Sequence, residues 1–268
     1  MADISSVLIT GGESRIGMEI GFGNKLGHKD LDITNLDSVK NALEKHKPSA
    51  VLNLASLNLM QCQTNPLLAN KVNIMGVYNL AIETAKRGIP LILISSGTVF
   101  NGSDYKDFSE KDIPDPVNFY GQTKYLAEIM AQLNPKHIVI RTGWLFGFNK
   151  KANFFNKMLE SARKNEELKA TADQYGSFTY VKEFIENLKD IIIKEEYGIF
   201  HIVNRQRATA LDFAHEIVKL ISSKSKIIKI SIANSEKEGP LRSRSEVLVS
   251  SKVKLRDWKV ALKECLAN

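Results

Sequence analysis

Four short runs, VLIT (7–10), AVLNL (50–54), PLILIS (90–95) and HIVIRT (137–142), are β-branched or leucine-rich, and they constrain this chain more than any other feature. Successive side chains of a strand point to opposite faces, so a run apolar on both needs cover on both. A sheet sandwiched between helices provides it. The stretches at 35–47, 66–87 and 119–133 carry the helical period. The first has a clear start and stop, with Thr34 or Asn35 as cap and Pro48 just past its end. Strand and helix in alternation imply right-handed crossovers and a parallel, doubly wound sheet. After Arg141 the pattern changes to helices near 151–165, 181–194, 208–222 and 252–266, with short strands such as GIFHIV (198–203) and KIIKISI (226–232). The expected division is a first domain over 1–145, to which part of 181–203 returns, and a smaller mixed α/β lobe over 146–268.

Several function classes are disfavoured by the bulk sequence. No apolar run approaches the roughly 20 residues of a membrane span, and Met1–Ile9 lacks the basic start and apolar stretch of a signal peptide, so a cytoplasmic location is expected. Cys62 and Cys265 have neither CxxC spacing nor a histidine cluster near them, so no metal is expected. The formal charge is +7, but the lysines are scattered along helices rather than packed into one block. That leaves nucleic acid unsupported as a partner, while a phosphorylated small molecule explains the sign equally well.

Ligands of doubly wound sheets sit beyond the carboxyl ends of the strands, so chemistry is sought just after each run. After the first comes TGGESRIG (10–17), a glycine turn opening a helix, as at a dinucleotide pyrophosphate. After the third comes SSGTVFNG (95–102), and after a proline-marked loop, FYGQTK (119–124). Tyr120 and Lys124 are spaced i, i+4 and share one helix face. An ammonium beside a phenol favours the phenolate, so the pair suits proton transfer, with Ser96 to hold a reacting carbonyl oxygen.

Together with these, LDIT (31–34), NLAS (53–56), VNIMGVYNLA (72–81), EKDIPDPVNFYGQTKYLAE (110–128), IVIRTGWLFG (138–147), DQYGSFTYV (173–181) and RSRSEVLVSSKV (242–253) occur in order. On these residues the chain resembles the extended short-chain dehydrogenase/reductase family. The likeness is greatest to its dTDP-4-dehydrorhamnose reductase branch, which includes the regulatory beta subunit of methionine adenosyltransferase. The resemblance implies a Rossmann-like dinucleotide-binding domain, a substrate lobe, and an NAD(P)H-dependent reduction of a nucleotide-linked 4-keto-6-deoxy sugar. By position it makes Tyr120 the general acid, Lys124 the residue that lowers its pKa and holds the nicotinamide ribose, Ser96 the third member, and Asn73 the support of the lysine. Gly11, Ser14, Arg15, Ile16 and Gly17 would form the pyrophosphate loop. Asp32 and Ile33 would contact adenine, and Asn53, Ala55 and Ser56 would line the cofactor. Arg141, Thr142 and Gly143 would approach the nicotinamide. Trp144 falls at the substrate-stacking position and Arg242 where a sugar diphosphate needs a cation. Trp144 equally suits a core position, Asn73 a backbone cap, and Arg242 a solvated surface.

Three departures stand out. The family's TGxxGxxG has Ser14 at its middle glycine, and Glu13 adds a negative charge beside it. Only fourteen residues, Met18 to Leu31, separate Gly17 from Asp32, where a βαβ unit of 30 or more residues leads one to expect roughly 25. This predicts a stub helix, a missing or vestigial second strand and no acidic residue on the adenosine ribose. Lys25, His28 or Lys29 is then placed to meet a 2′-phosphate, which favours NADP(H) over NAD(H). GFGNKLG (21–27) follows no strand and is a decoy. Third, Ser95-Ser96-Gly97-Thr98 replaces the Ser-Thr-Asp-Tyr of many relatives, and the loop SLNLMQCQ (56–63) lacks their charges. The alternatives are a non-catalytic regulatory subunit and a combined epimerase/reductase. A homodimer through surface helices would be ordinary.

Overall fold

The computed structural model describes residues 2–148, 153–237 and 239–267. The first half runs β1 (Leu8–Thr10), α1 (Arg15–Glu19), β2 (Asn24–Leu26), α2 (Leu36–His46), β3 (Val51–Asn53), α3 (Leu59–Thr64), α4 (Pro66–Ala69), a π-helical turn (Asn70–Met75), α5 (Gly76–Lys86), β4 (Leu91–Ser96), α6 (Phe119–Ala131) and β5 (His137–Thr142). The second half adds β6 (Trp144–Phe146), α7 (Phe154–Arg163), β7 (Leu168–Thr171), β8 (Tyr175–Tyr180), α8 (Val181–Lys194) and β9 (Gly198–Ile202). It ends with β10 (Arg207–Thr209), α9 (Ala210–Leu220), β11 (Ile227–Ile230), α10 (Ile232–Glu236), β12 (Ser245–Glu246) and α11 (Trp258–Ala267).

The four apolar runs become β1, β3, β4 and β5 of a six-stranded parallel sheet in the order β2-β1-β3-β4-β5-β9. Their residues divide by parity. Ile9, Leu52, Ile92 and Ile138 pack on one face with Phe184, Leu188 and Ile191 of α8. Leu8, Val51, Leu91, Leu93 and Val139 pack on the other with Val39 and Leu43 of α2, Val77 and Leu80 of α5, and Ala127 and Ala131 of α6. Each such aliphatic contributes about 1.5–3 kcal/mol on burial, so the two helical layers hold the sheet flat between them. α8 and β9 come from beyond residue 180, and β9 pairs with β5 along Ile138–Thr142.

The remaining strands form a second assembly. β8 pairs with β10, β12 and β6, and β7 pairs with β11. Its core is aromatic: Phe178 stacks on Phe213 at 4.0 Å between ring centroids, with Trp258 and Phe146 packed around them.

The shortened first unit is real. α1 has five residues, and β2 is a three-residue, largely exposed edge strand, vestigial rather than missing. Asn35, not Thr34, caps α2, its Oδ1 accepting from the Asp37 and Ser38 amides. Elsewhere the expected elements change. The loop 56–63 contains α3, started by a reciprocal Asn58–Gln61 cap, and the single helix 66–87 is broken by the π-helical turn. The helix expected over 252–266 begins only at Trp258, because the Trp258 amide donates to Arg205 O and Asp257 is bridged to Arg205, which leaves residues 252–257 outside a helix. Residues 151–152 of the helix expected from 151 lie outside the described residues; α7 starts at Phe154 with Asn153 as cap.

Candidate active site

Strand order reverses around β1, which has β2 on one side and β3 on the other, and that is where an open α/β sheet offers a crevice. There Thr10 Oγ1 donates to Asn53 Oδ1 at 2.5 Å, tying the two strand ends together. A cavity of about 710 Å³ opens beyond β1, β3, β4 and β5 and runs into the aromatic assembly. This size suits small-molecule binding.

The glycine loop forms one end of it. Gly11 has φ +61°, and a Cβ there would lie 2.7 Å from the Ala55 amide nitrogen, so only glycine fits. A Cβ on Gly17 would meet Gly12 O at 2.5 Å. Ser14, by contrast, sits at φ −66°, open to any residue, and its Oγ caps α1 by accepting from the Gly17 amide at 3.1 Å. Its hydroxyl proton remains available to an anion. Ser14, Arg15 and Ile16 line the cavity, as do Asn53, Ala55 and Ser56. These residues fit a dinucleotide: a tight turn, a helix N-terminus and a cation face one space.

Further along the same carboxyl edge of the sheet, Ser96, Tyr120 and Lys124 line the same cavity. Asn118 starts α6 by accepting from the Gly121 amide, and Gly121 lets the helix approach closely, since a Cβ there would lie 2.4 Å from Thr98 O. Tyr120 and Lys124 are thereby pressed against the turn that carries Ser96. The Lys124 ammonium donates to Ile94 O at 2.5 Å. Burial pushes it down to about 8, with Glu128 and Cys62 pulling the other way. Burial likewise pushes the Tyr120 phenol upward, reinforced by Cys62 and Glu246 and opposed by Arg15. The expected depression of the phenol by the lysine is thus corrected: burial moves the phenol upward, and the cation that opposes it is Arg15, not Lys124.

Other expectations change with the geometry. Asn73, in the π-helical turn, accepts from the Leu57 amide and donates to Thr123 Oγ1 at 3.0 Å, holding the 57 loop against α6; its bonds go to neither Lys124 nor its carbonyl partner. Asp32 and Ile33 are not walls of the cavity. The Asp32 carboxylate accepts from Thr34, and Ile33 lies buried over Gly76. Arg141 points away as well. Its guanidinium is bidentate on Glu128, at 2.7 and 3.0 Å for the shorter contacts, with Phe100 beneath it and Ser95 donating to the same carboxylate. Thr142, Gly143 and Trp144 do line the cavity, and a Cβ on Gly143 would fall 1.9 Å from Ser177 O. Arg242 lines it with a buried Nε that has no hydrogen-bond partner among the described residues, which leaves a donor for an acceptor in the cavity.

Several residues of the site were not anticipated. Glu128 is one turn beyond Lys124, and its i+4 spacing on an otherwise apolar helix face was the available signal. Lys169, Gln174 and Asn153 join the walls from strands and a cap that only pairing creates. Glu246 is buried behind Trp144 and accepts its indole N–H at 3.0 Å. Burial pushes that carboxyl up to about 7, against the Trp144 hydrogen bond and Arg242. Among the described residues no group of three or more His, Cys, Asp or Glu side chains is placed to hold a metal, and no helix is long and apolar enough to cross a membrane.

A parallel doubly wound sheet with a glycine turn at its switch point and Ser96, Tyr120 and Lys124 in one cavity defines a short-chain dehydrogenase/reductase. The RmlD substrate binding domain family matches residues 5–268, and this chain belongs to it. It is similar to the spore coat polysaccharide biosynthesis protein SpsK of Bacillus subtilis, 28% identical with 98% of this chain and 97% of that one covered. A dTDP-4-dehydrorhamnose reductase of Aggregatibacter actinomycetemcomitans is 32% identical over 70% of this chain and 67% of that one. Among solved structures, a dTDP-4-dehydrorhamnose reductase of Bacillus anthracis in complex with NADP superposes with a TM-score of 0.90 at 26% identity, covering 97% and 98% of the two chains.

Removing one partner of a buried ion pair strands the other charge, which typically costs about 3–5 kcal/mol. Arg141→Met should lose that much stability in urea unfolding. Adding Glu128→Gln to it should recover at least half, and a single variant as stable as the parent would show that the pair does not hold α6 to β4 and β5.

Proposed function

We propose that this protein is an NAD(P)H-dependent reductase acting on the C4 ketone of a dTDP-linked 4-keto-6-deoxy sugar. The observation that carries the reading is the meeting of Ser96, Tyr120 and Lys124 in the cavity that the glycine loop also lines. Ser14 to Ile16 hold the cofactor's pyrophosphate at the α1 N-terminus, and Lys124 holds the nicotinamide ribose. Bound NAD(P)H supplies the hydride. Ser96 donates a hydrogen bond to the substrate carbonyl oxygen, and Tyr120 gives that oxygen its proton as negative charge develops there. A phenol that burial keeps neutral is suited to this acid role. Arg242, with Lys169 nearby on the cavity wall, receives the sugar diphosphate. The serine in the glycine loop caps α1 without strain, so the regulatory reading it suggested finds no support in the loop's geometry.

Two finer assignments follow. Lys25, the middle residue of β2, has its Cβ against Gly12 of the glycine loop, and we assign its ammonium to a 2′-phosphate on the adenosine ribose. This favours NADPH. Met60, Leu67, Leu68, Met75, Leu126 and Ile129 form an exposed apolar face on α3, α4, the π-helical turn and α6, and a second copy of the chain covers it. With Cys62 and Cys265 both free thiols, the cytoplasm is the compartment that fits.

With a dTDP-4-keto-6-deoxyhexose, the protein should consume NADPH, and Tyr120→Phe should lower kcat about 10²–10⁴-fold while still binding cofactor. Equal inertness of both proteins with cofactor bound would end the enzyme reading. Lys124 is charged below its value of about 8 and neutral above it, so kcat/KM, which reports the free enzyme, should fall as pH rises through about 8. Lys25→Ala should raise KM for NADPH and leave that for NADH within twofold; equal effects would remove the 2′-phosphate contact. Sedimentation should give a dimer that Leu67→Glu with Ile129→Glu converts to monomer, and a monomeric parent would refute the pairing.

A further inference from the structure

The short strands around β8 create an arrangement that the reductase chemistry does not itself require. Glu246 of β12 lies in register with Gly176, and Trp144 of β6 with Phe178. Positions 176 and 178 are two apart, so they share one face of β8, and in-register residues of a parallel pair project to the same side. All four residues therefore face the same way. Gly176 leaves a gap in that face, and the Trp144 indole lies across it: a Cβ on Gly176 would sit 2.8 Å from Trp144 Cε2. The ring meets Phe178 edge-on at 5.1 Å between centroids. Its N–H reaches the Glu246 Oε2 at 3.0 Å, while Gln174 Nε2 lies 3.5 Å from the other oxygen.

Three constraints thus fix one indole: a glycine beneath, a ring at its edge and a carboxylate on its N–H. Trp144, Gln174 and Phe178 all line the cavity, whereas Glu246 stands behind them, 5% exposed. We propose that Glu246 is a positioning residue that locks the Trp144 indole into the wall of the sugar-nucleotide end of the cavity and so sets affinity for the nucleotide sugar, not for the dinucleotide. This rests on the reductase reading for the identity of the ligand but not for the lock itself. The carboxyl suits the task because its two oxygens accept from the Trp144 indole and the Gln174 amide at once, which fixes its own orientation as well as the ring's. A buried carboxyl that held nothing would be a burden on the fold.

Trp144 and Trp258 are the chain's two tryptophans, so a proton–nitrogen correlation spectrum shows two indole signals, and Trp144→Phe assigns them. Glu246→Ala should shift the Trp144 indole signal and weaken binding of a dTDP-4-keto-6-deoxyhexose roughly tenfold by calorimetry, the loss of one buried hydrogen bond. NADPH affinity should stay within twofold, which also reports an intact fold. Glu246→Gln keeps an acceptor and should restore most of both. Gly176→Ala, which pushes the ring from behind, should reproduce the alanine variant. Adding Glu246→Ala to Trp144→Phe should weaken binding no further. An indole signal and sugar-nucleotide affinity unchanged in Glu246→Ala, or losses that add in the double variant, would overturn the proposal. A parent protein that binds no sugar nucleotide but whose indole signal moves in Glu246→Ala would end the reductase reading and leave the lock standing.

Discussion

The ion pair between Glu128 and Arg141 anchors the whole site. Both groups are almost wholly excluded from water, and each loses several kcal/mol of hydration on burial. They are tolerable together because the contact is bidentate, Ser95 donates to the same carboxylate, and the guanidinium rests on the Phe100 ring. Those four residues belong to α6, β5, β4 and the turn after β4. One interaction therefore fixes the helix that carries Tyr120 and Lys124 against the strand that ends at Ser96. The close approach at Gly121 completes the join, because no side chain intervenes between α6 and Thr98 O.

Burial then decides the chemistry of the residues so placed. Next to water, an ammonium one helical turn from a phenol would favour the phenolate and lower the phenol's pKa. Inside this wall desolvation dominates both groups, raising the phenol and lowering the amine. Glu128 again matters, since its charge one turn from Lys124 opposes the loss of the lysine's proton. A neutral phenol beside a still-charged amine is the pair that a reduction of a ketone calls for. The same ion pair that holds the geometry thus helps hold the protonation state.

The truncated first unit keeps only part of a dinucleotide cradle. What survives is the tight turn at Gly11, the packing at Gly17 and the cap at Ser14, all at the switch point between β1 and β3. What is reduced is the edge of the sheet, where β2 is three largely exposed residues and no acidic side chain follows it at once. The loss falls on the adenosine side and spares the reacting end.

Much of this was legible in the residues alone. Apolar runs on both strand faces, their spacing and the i, i+4 pair of Tyr120 and Lys124 are local signals, and they gave the parallel sheet, α6 and the short α1 nearly as found. The resemblance carried Trp144 and Arg242 to the cavity, but it also carried Arg141, Asp32 and Ile33 there, and the structure turns those into an ion pair, a turn and core. Residues such as Glu246, Gln174 and Lys169 gave no local sign, because β12, β8 and β7 are short strands defined by partners 30 to 70 residues away or by neighbours outside any periodic pattern. Sequence by itself determined the elements and the reacting pair, since periodicity is a property of neighbouring residues. Tertiary structure alone decided which charges pair, which groups lose water and which side chains reach the cavity, because each of these depends on contacts between segments far apart in the chain.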